Sequence, residues 1–238
     1  MRKLLLCLVI LALCGCEVIK EEDRLIPVEP TPQDSTSTGR RHVLLEYTGF
    51  RCVNCPTAAE LAQTLEHTYA GRLYLVSLHP ASNPFTQGIA KYDYTCPEAD
   101  SIYQWMGGTA STPFPKGNVD MLPYQDEYMH NPSEWTTMIY NAMQDTVIPA
   151  IDSKISYWII EDSILGAQAM PDGSYNTAYY HRHVLRATYD NKEDIVLSDK
   201  WNTEQLFLLT LYLDPIDNHI INAYETKFMD DSSYAAKY

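Results

Sequence analysis

Apolar residues in the first half of the chain follow the spacing of alternating strands and helices. Val43 to Tyr47 is a short, mostly apolar run, as expected for a strand. The next segment has helical spacing, and one face of a helix over residues 55–70 would carry Ala58, Leu61, Ala62, Leu65 and Tyr69. Leu73 to Leu78 is almost continuously apolar, which is typical of a buried parallel strand. The pattern therefore predicts a strand–helix–strand unit.

The rest of the chain divides into two patterns near Val147. Before it, we expect helices at 98–106 and 133–144 and a short strand at 118–122, which complete a domain over residues 41–146. After it, the pattern predicts only strands, at 155–160, 183–188, 193–197, 205–213 and 220–228. A long stretch of strands without a helix favours a small β-sandwich over residues 147–238.

The first residues resemble a signal that is removed during export. Arg2 and Lys3 precede an apolar run of about ten residues, which is shorter than the ~20 residues of a membrane-spanning helix. The run ends in Leu13-Cys14-Gly15-Cys16, which resembles a bacterial lipobox. The alternative is an ordinary signal peptide, whose cleavage needs no cysteine here. We expect a signal peptide over 1–15 and palmitate-type acyl chains on Cys16 that anchor the protein to a membrane.

Residues 16–40 are predicted to be a lipidated, flexible tether, because they are rich in proline and then in serine and threonine. The acidic stretch Glu21-Glu22-Asp23 is either a solvated spacer or similar to the tag that directs lipoproteins of the Bacteroidota to the cell surface. We therefore expect a lipid-anchored outer-membrane protein, exposed on the cell surface if the tag is used.

The charge of the chain argues against one class of partner. Removal of residues 1–15 changes the formal net charge from −14 to −16, because that segment contains two cations and no acid. Such an acidic protein repels phosphate backbones, so no nucleic acid is expected as a partner. Besides Cys16, three thiols remain, too few for a disulfide-stapled scaffold. Neither a cofactor nor a metal is expected.

The strongest chemical signal is Cys52-Val53-Asn54-Cys55-Pro56, between the predicted strand and helix. A helix N-terminus stabilises an anion and lowers a thiol pKa from ~8.5 to ~3.5–7.5, and Arg51 adds a neighbouring cation. The spacing places both thiols on one turn, so the second can attack a mixed disulfide made by the first. Cys52 is thus the predicted nucleophile and Cys55 the resolving thiol.

Other interpretations of the cysteines remain open. A zinc site lacks a second cysteine pair, and His79 and Cys96 are scattered. A structural disulfide is a serious alternative in an exported protein, although so short a loop contributes only ~2 kcal/mol. Cys96 is either free and buried or an alternative partner of the Cys52–Cys55 pair.

Two histidines offer a weaker signal. His181 and His183 would lie on one side of a strand, where they could begin a metal site. No acid or cysteine accompanies them at ligand spacing, so we prefer a structural role for both.

Three segments resemble the Omp28-related outer membrane lipoproteins of Bacteroidota. The stretch from Glu46 to Pro56 is one, and a Pro-x-Gly-x-Val motif at Pro115–Val119 is the second. The third is a glutamine, Gln168, followed by His-x-His-Val-Leu-Arg at 181–186. That family is similar to thioredoxins with an appended β domain. The resemblance therefore implies an α/β thioredoxin-like domain followed by a small all-β, sandwich-like domain.

The likeness to thioredoxins also implies two site residues. Thioredoxins carry an acid six residues before the first cysteine, a position that Glu46 occupies. When buried, such an acid has a raised pKa and can exchange a proton with the resolving thiol; the alternative is a strand-edge residue that faces solvent. Thioredoxins also have a cis-proline at the site, for which Pro115 fits the family motif and Pro113 is the rival. Arg51 departs from the thioredoxin pattern, since thioredoxins have tryptophan at the position before the first cysteine.

Two functions follow as hypotheses. The first is a thiol–disulfide oxidoreductase whose partners are protein thiols or disulfides. The alternative is a non-catalytic binding or interaction lipoprotein in which the cysteine pair is a structural disulfide and the tyrosine-rich β domain holds the partner.

Overall fold

A computed structural model describes residues 39–88, 93–148, 152–190 and 195–228. The predicted signal peptide, Cys16 and nearly all of the tether lie outside the described residues. All described residues belong to one compact unit, Asp34–Tyr238. No helix in these ranges is long and apolar enough to cross a membrane.

The described residues form three α-helices and nine β-strands. The helices are α1 (Cys55–Thr68), α2 (Pro97–Trp105) and α3 (Pro132–Gln144). The strands of the first half are β1 (His42–Tyr47), β2 (Leu73–Leu78) and β3 (Lys116–Val119). Those of the second half are β4 (Lys154–Glu161), β5 (Ile164–Ala169), β6 (Tyr175–His181), β7 (Val184–Asp190), β8 (Leu206–Leu213) and β9 (Ile220–Lys227).

Seven strands form one mixed sheet in the order β3-β1-β2-β7-β4-β8-β9. Strands β1 and β2 are parallel and are joined by α1, so the predicted strand–helix–strand unit is present. Strand β3 runs antiparallel to β1 on the other side. The chain thus has a mixed α/β fold with a large sheet and few helices.

The predicted separate sandwich differs from the structure. Strands β7, β4, β8 and β9 continue the sheet of the first half instead of forming two packed sheets of their own. The junction between β2 and β7 is narrow, since Ser77 and Val184 are the paired residues there. Strands β5 and β6 make a separate two-stranded hairpin sheet. That residues 41–146 form an independent domain stays a prediction, and the continuous sheet argues against it.

The hydrophobic core explains why the strands of the second half join this sheet. All six residues of β1 are buried, and successive side chains point to opposite faces. Leu44 packs in a cluster with side chains of α1 and α3, including Ala62 and Trp135. Val43, Leu45 and Tyr47 belong to a second cluster, to which the later strands contribute Trp158, Leu209 and Ile220. The second face of β1 is therefore buried in a cluster to which both halves of the chain contribute.

Most predicted elements are present within two residues of their expected bounds. Strands β5 and β6 were not predicted, because β6 is exposed at nearly every position and has no alternation of apolar and polar residues. The strand predicted at 193–197 is wrong over 195–197, which have no regular structure; residues 193 and 194 lie outside the described ranges.

Candidate functional site

The cysteine pair lies where the chain passes from β1 into α1. Cys52 N donates to Gly49 O (3.0 Å) and Cys55 N donates to Cys52 O (3.3 Å), so two tight turns lead into the helix. Gly49 is required because a Cβ there would lie 2.5 Å from the carbonyl oxygen of Phe85. Pro56 occupies the first turn of α1, where its missing N–H costs nothing.

Cys52 and Cys55 form a disulfide, with their Cα atoms 5.4 Å apart. Only 1% of Cys52 and 2% of Cys55 is exposed. Both belong to an apolar cluster that also contains Tyr47, Cys96 and Phe114. Since the disulfide is covered, a partner thiol can reach it only if some of the covering residues move.

Glu46 lies in the interior, not at a solvent-facing strand edge. Its side chain is 5% exposed, and its Oε1 atom has no hydrogen-bond partner among the described residues. Burial raises the pKa of this carboxyl from 4.5 to about 8. A buried carboxyl without a full set of hydrogen bonds costs stability, so it calls for a functional explanation.

A small pocket joins Glu46 to the disulfide. Its volume is about 30 Å³, enough for one or two water molecules. The strand–helix–strand unit contributes Glu46, Cys55 and His79 to its lining, and the β5–β6 hairpin contributes Gln168, Tyr179 and His181. The site is therefore assembled from segments more than 100 residues apart in sequence.

Gln168 attaches the hairpin to the cysteine loop. Its side-chain amide donates to Cys52 O (2.9 Å) and Gly49 O (3.4 Å), and it is buried. The backbone N–H of Ala169 donates to Phe50 O (2.7 Å). These bonds hold β5 against the segment that leads into the disulfide. The sequence identified Gln168 through the family motif but gave no physical role for it.

His79 is the site residue that sequence reasoning missed, since it was considered only as a stray zinc ligand. It follows β2 directly and is 2% exposed. Neither ring nitrogen makes a hydrogen bond of good geometry within the described residues, and the contact with the Ser77 backbone has only the smallest of the effects on its pKa. Its ring lies 5.3 Å from that of Tyr94 and 5.9 Å from that of His181. Burial, with smaller contributions from His181 and Arg186, holds the pKa of His79 well below its usual value.

His181 and His183 do not lie on one strand, as the i, i+2 spacing had suggested. His181 is the last residue of β6, whereas His183 has φ = 54° in the turn before β7. Burial lowers the pKa of His181 to about 4. Nε2 of His183 lies 3.6 Å from Glu66 Oε1. Each histidine thus has its own surroundings, although both line the pocket.

The structure also places the remaining predicted residues. Among the described residues, the cis peptide bond is Phe114–Pro115, so Pro115 and not the rival Pro113 is the cis-proline. Arg51 is exposed, and its Nη1 atom donates to Gln87 O (3.2 Å). Cys96 is free and buried, and burial raises the pKa of its thiol to about 12.

One cluster of metal-ligand type is present in the described ranges, formed by Asp214, Asp217 and His219. It lies in the turn between β8 and β9 and contains none of the pocket residues. His219 Nδ1 lies 2.6 Å from an oxygen of Asp217, so the cluster already satisfies part of its own hydrogen bonding.

Comparison with known proteins adds information on the fold. No protein-family model and no curated protein match the sequence. Among solved structures, HBP35 of Porphyromonas gingivalis is similar, with a TM-score of 0.57 and 16% identity over 80% of this chain and 76% of that chain. A protein from Agrobacterium tumefaciens has a TM-score of 0.48 and 10% identity over 82% of this chain and 97% of its own. At 16% identity the likeness to HBP35 concerns the fold alone.

Proposed function

We propose that this protein carries out thiol–disulfide exchange through Cys52 and Cys55, on a thioredoxin-like unit that the later strands extend. The observation that carries the proposal is Glu46, a buried acid with an unpaired oxygen that shares a pocket with Cys55. A structural disulfide has no need of an acid behind it. A pKa of about 8 for Glu46 lies close to the ~8.5 of an ordinary thiol, so a proton can pass between the two groups at little cost.

In the reducing direction, the Cys52 thiolate attacks one sulfur of a partner disulfide and releases the first partner thiolate. The Cys55 thiol then gives its proton to the Glu46 carboxylate and attacks Cys52 Sγ. This forms the Cys52–Cys55 disulfide and releases the second partner thiolate. Two electrons pass from the cysteine pair to the partner, and the reverse steps oxidise a partner dithiol.

Trapping of mixed disulfides tests the proposal. Cys55→Ser should accumulate complexes with a disulfide-containing protein such as insulin, because nothing resolves them. Cys52→Ser should accumulate few. All variants are made in a chain in which Cys7, Cys14, Cys16 and Cys96 are replaced by serine, so that no other thiol takes part. Equal trapping by both variants, or none by either, would contradict the assigned roles.

The burial of both sulfurs favours a second candidate, an interaction protein that uses the pair as a structural disulfide. In that case the wild-type disulfide would resist reduction, and its removal by a Cys52→Ala/Cys55→Ala double variant would lower stability by about 2 kcal/mol. If the disulfide exchanges readily and the double variant is almost as stable as the wild type, this second function is excluded.

We further propose that the chain is a lipoprotein of the outer membrane, anchored through Cys16. The support is the cationic start, the short apolar run and Leu13-Cys14-Gly15-Cys16. In a lipoprotein-processing bacterium the wild type should incorporate labelled palmitate, whereas Cys16→Ser should not. Cys14→Ser is the matched control and should be labelled as strongly as the wild type. If Cys16→Ser is labelled as strongly as the wild type, the proposal is refuted.

A further inference from the structure

We propose that His79 shares the proton of the resolving thiol with Glu46, so that the two side chains act as one proton-accepting pair behind Cys55. The inference rests on the proposed exchange function and adds to it a positioning and proton-handling residue. Its basis is one pocket that holds an acid, an imidazole and the second cysteine in contact with the same small volume.

The first support is that both side chains are buried and incompletely hydrogen-bonded. Within the described residues, Oε1 of Glu46 and both ring nitrogens of His79 lack a partner of good geometry. Buried polar groups almost always have partners, and two such groups on one pocket are unusual. The pocket has room for one or two water molecules, which would connect the carboxyl to the imidazole.

The second support is that the imidazole packs against two neighbouring rings, one of them from the β5–β6 hairpin. The rings of Tyr94 and His181 are 4.1 Å apart, and both lie beside that of His79. Nε2 of His181 lies 3.2 Å from Ala167 O, with which it forms a hydrogen bond. His181 is thus engaged with the backbone, and His79 is the histidine that remains available to the pocket.

The charged and titratable groups around Glu46 and His79 determine which protonation states of the two side chains are favourable. Tyr179 and Cys55 face Glu46, whereas His181 and Arg186 oppose a positive charge on His79. A lone imidazolium is therefore unfavourable, as the lowered pKa of His79 indicates. Arg182 also lines the pocket and pairs with Asp162. An imidazolium formed together with the Glu46 carboxylate leaves the net charge of the pocket unchanged, so burial opposes that pair much less than either ion alone.

The proton moves in two steps that balance. Glu46 first passes its proton through pocket water to a nitrogen of His79, giving a carboxylate and an imidazolium. The Cys55 thiol then gives its proton to the carboxylate and, as thiolate, attacks Cys52 Sγ of the mixed disulfide. The partner leaves as a thiolate, and His79 returns its proton to water. No oxidant is needed other than the partner disulfide.

Two-phase kinetics with dithiobis(nitrobenzoate) test the inference on the reduced full chain in which Cys7, Cys14, Cys16 and Cys96 are replaced by serine, so that Cys52 and Cys55 are its only thiols. The first release of nitrothiobenzoate reports capture by Cys52, and the second reports attack by Cys55. His79→Ala should leave the first phase unchanged and slow the second by about tenfold to a hundredfold, within the range of general acid–base catalysis. Added imidazole should restore the second phase, which a purely structural role of His79 would not produce. His67→Ala, at an exposed position of α1, is the matched control.

The outcomes separate this inference from the proposed function. If Glu46→Gln slows the second phase and His79→Ala does not, the role of His79 is refuted while exchange stands. The same holds if imidazole fails to restore the second phase of His79→Ala. The Glu46→Gln/His79→Ala double variant tests the pairing. If its second phase is slowed by the product of the two single-variant factors, the residues act independently and the shared-proton pair is refuted. If the wild type shows no second phase, or Glu46→Gln leaves it unchanged, the proposed function itself fails.

Discussion

Glu46→Gln should change how the stability of the protein depends on pH. The folded state holds the pKa of this carboxyl at about 8, against 4.5 in the unfolded chain. Between these values the folded protein binds a proton that the unfolded chain has lost, so stability falls as pH rises. At about 1.4 kcal/mol per pH unit, the loss attributable to Glu46 between pH 4.5 and pH 8 is about 5 kcal/mol. Below pH 4.5 there is no penalty, because the carboxyl is protonated in both states.

The assay is urea unfolding of the oxidised protein at pH 5 and pH 8. The wild type should lose several kcal/mol more than Glu46→Gln between the two conditions, because glutamine does not titrate. Glu60→Gln, at an exposed position of α1, serves as the matched control and should follow the wild type. If the free energy of unfolding falls by the same amount in wild type and Glu46→Gln between pH 5 and pH 8, Glu46 is not buried as an acid, and the explanation of the site is wrong.

Three further predictions follow from the packing. Gln168→Leu removes the donors to Cys52 O and Gly49 O, so reduction of the native disulfide by dithiothreitol should become about tenfold faster. Gln144→Leu, at an exposed position, is the control and should match the wild type. An unchanged rate in Gln168→Leu would show that the hairpin does not hold the cysteine loop. Cys96 should resist iodoacetamide in the folded protein and react once it is unfolded, because its thiol is buried and its pKa is raised to about 12; rapid alkylation in the native state would contradict this. A fragment of residues 40–146 should unfold without a cooperative transition, because Trp158, Leu209 and Ile220 complete its core; a sharp transition would show instead that the predicted domain is independent.

The sequence predicted the first half of the fold well because its signals are local. A helix with one apolar face between two buried runs leaves little choice of structure, and Cys55 at the start of α1 follows from it. The burial of Glu46 could be expected only through the likeness to thioredoxins. Nothing in the spacing itself separates a buried acid from one at a strand edge.

The sequence did not predict how the second half completes the first. Strand β7 pairs with β2 from more than 100 residues away, and no periodicity reports such a pairing. The β5–β6 hairpin was not predicted because β6 is exposed at nearly every position and neither strand alternates apolar with polar residues, yet the hairpin supplies Gln168 and His181 to the pocket. His79 lacked a recognisable motif, and only the pocket brings it beside Glu46.

The reduction potential of the Cys52–Cys55 pair tests the central claim most directly. It is measured by equilibrating the folded protein with dithiothreitol or glutathione buffers and counting free thiols after acid quenching, in a chain in which Cys7, Cys14, Cys16 and Cys96 are replaced by serine. Exchange predicts a potential between about −270 and −120 mV, the range of thiol–disulfide oxidoreductases. A potential below about −300 mV, typical of structural disulfides, would contradict exchange and favour the interaction protein.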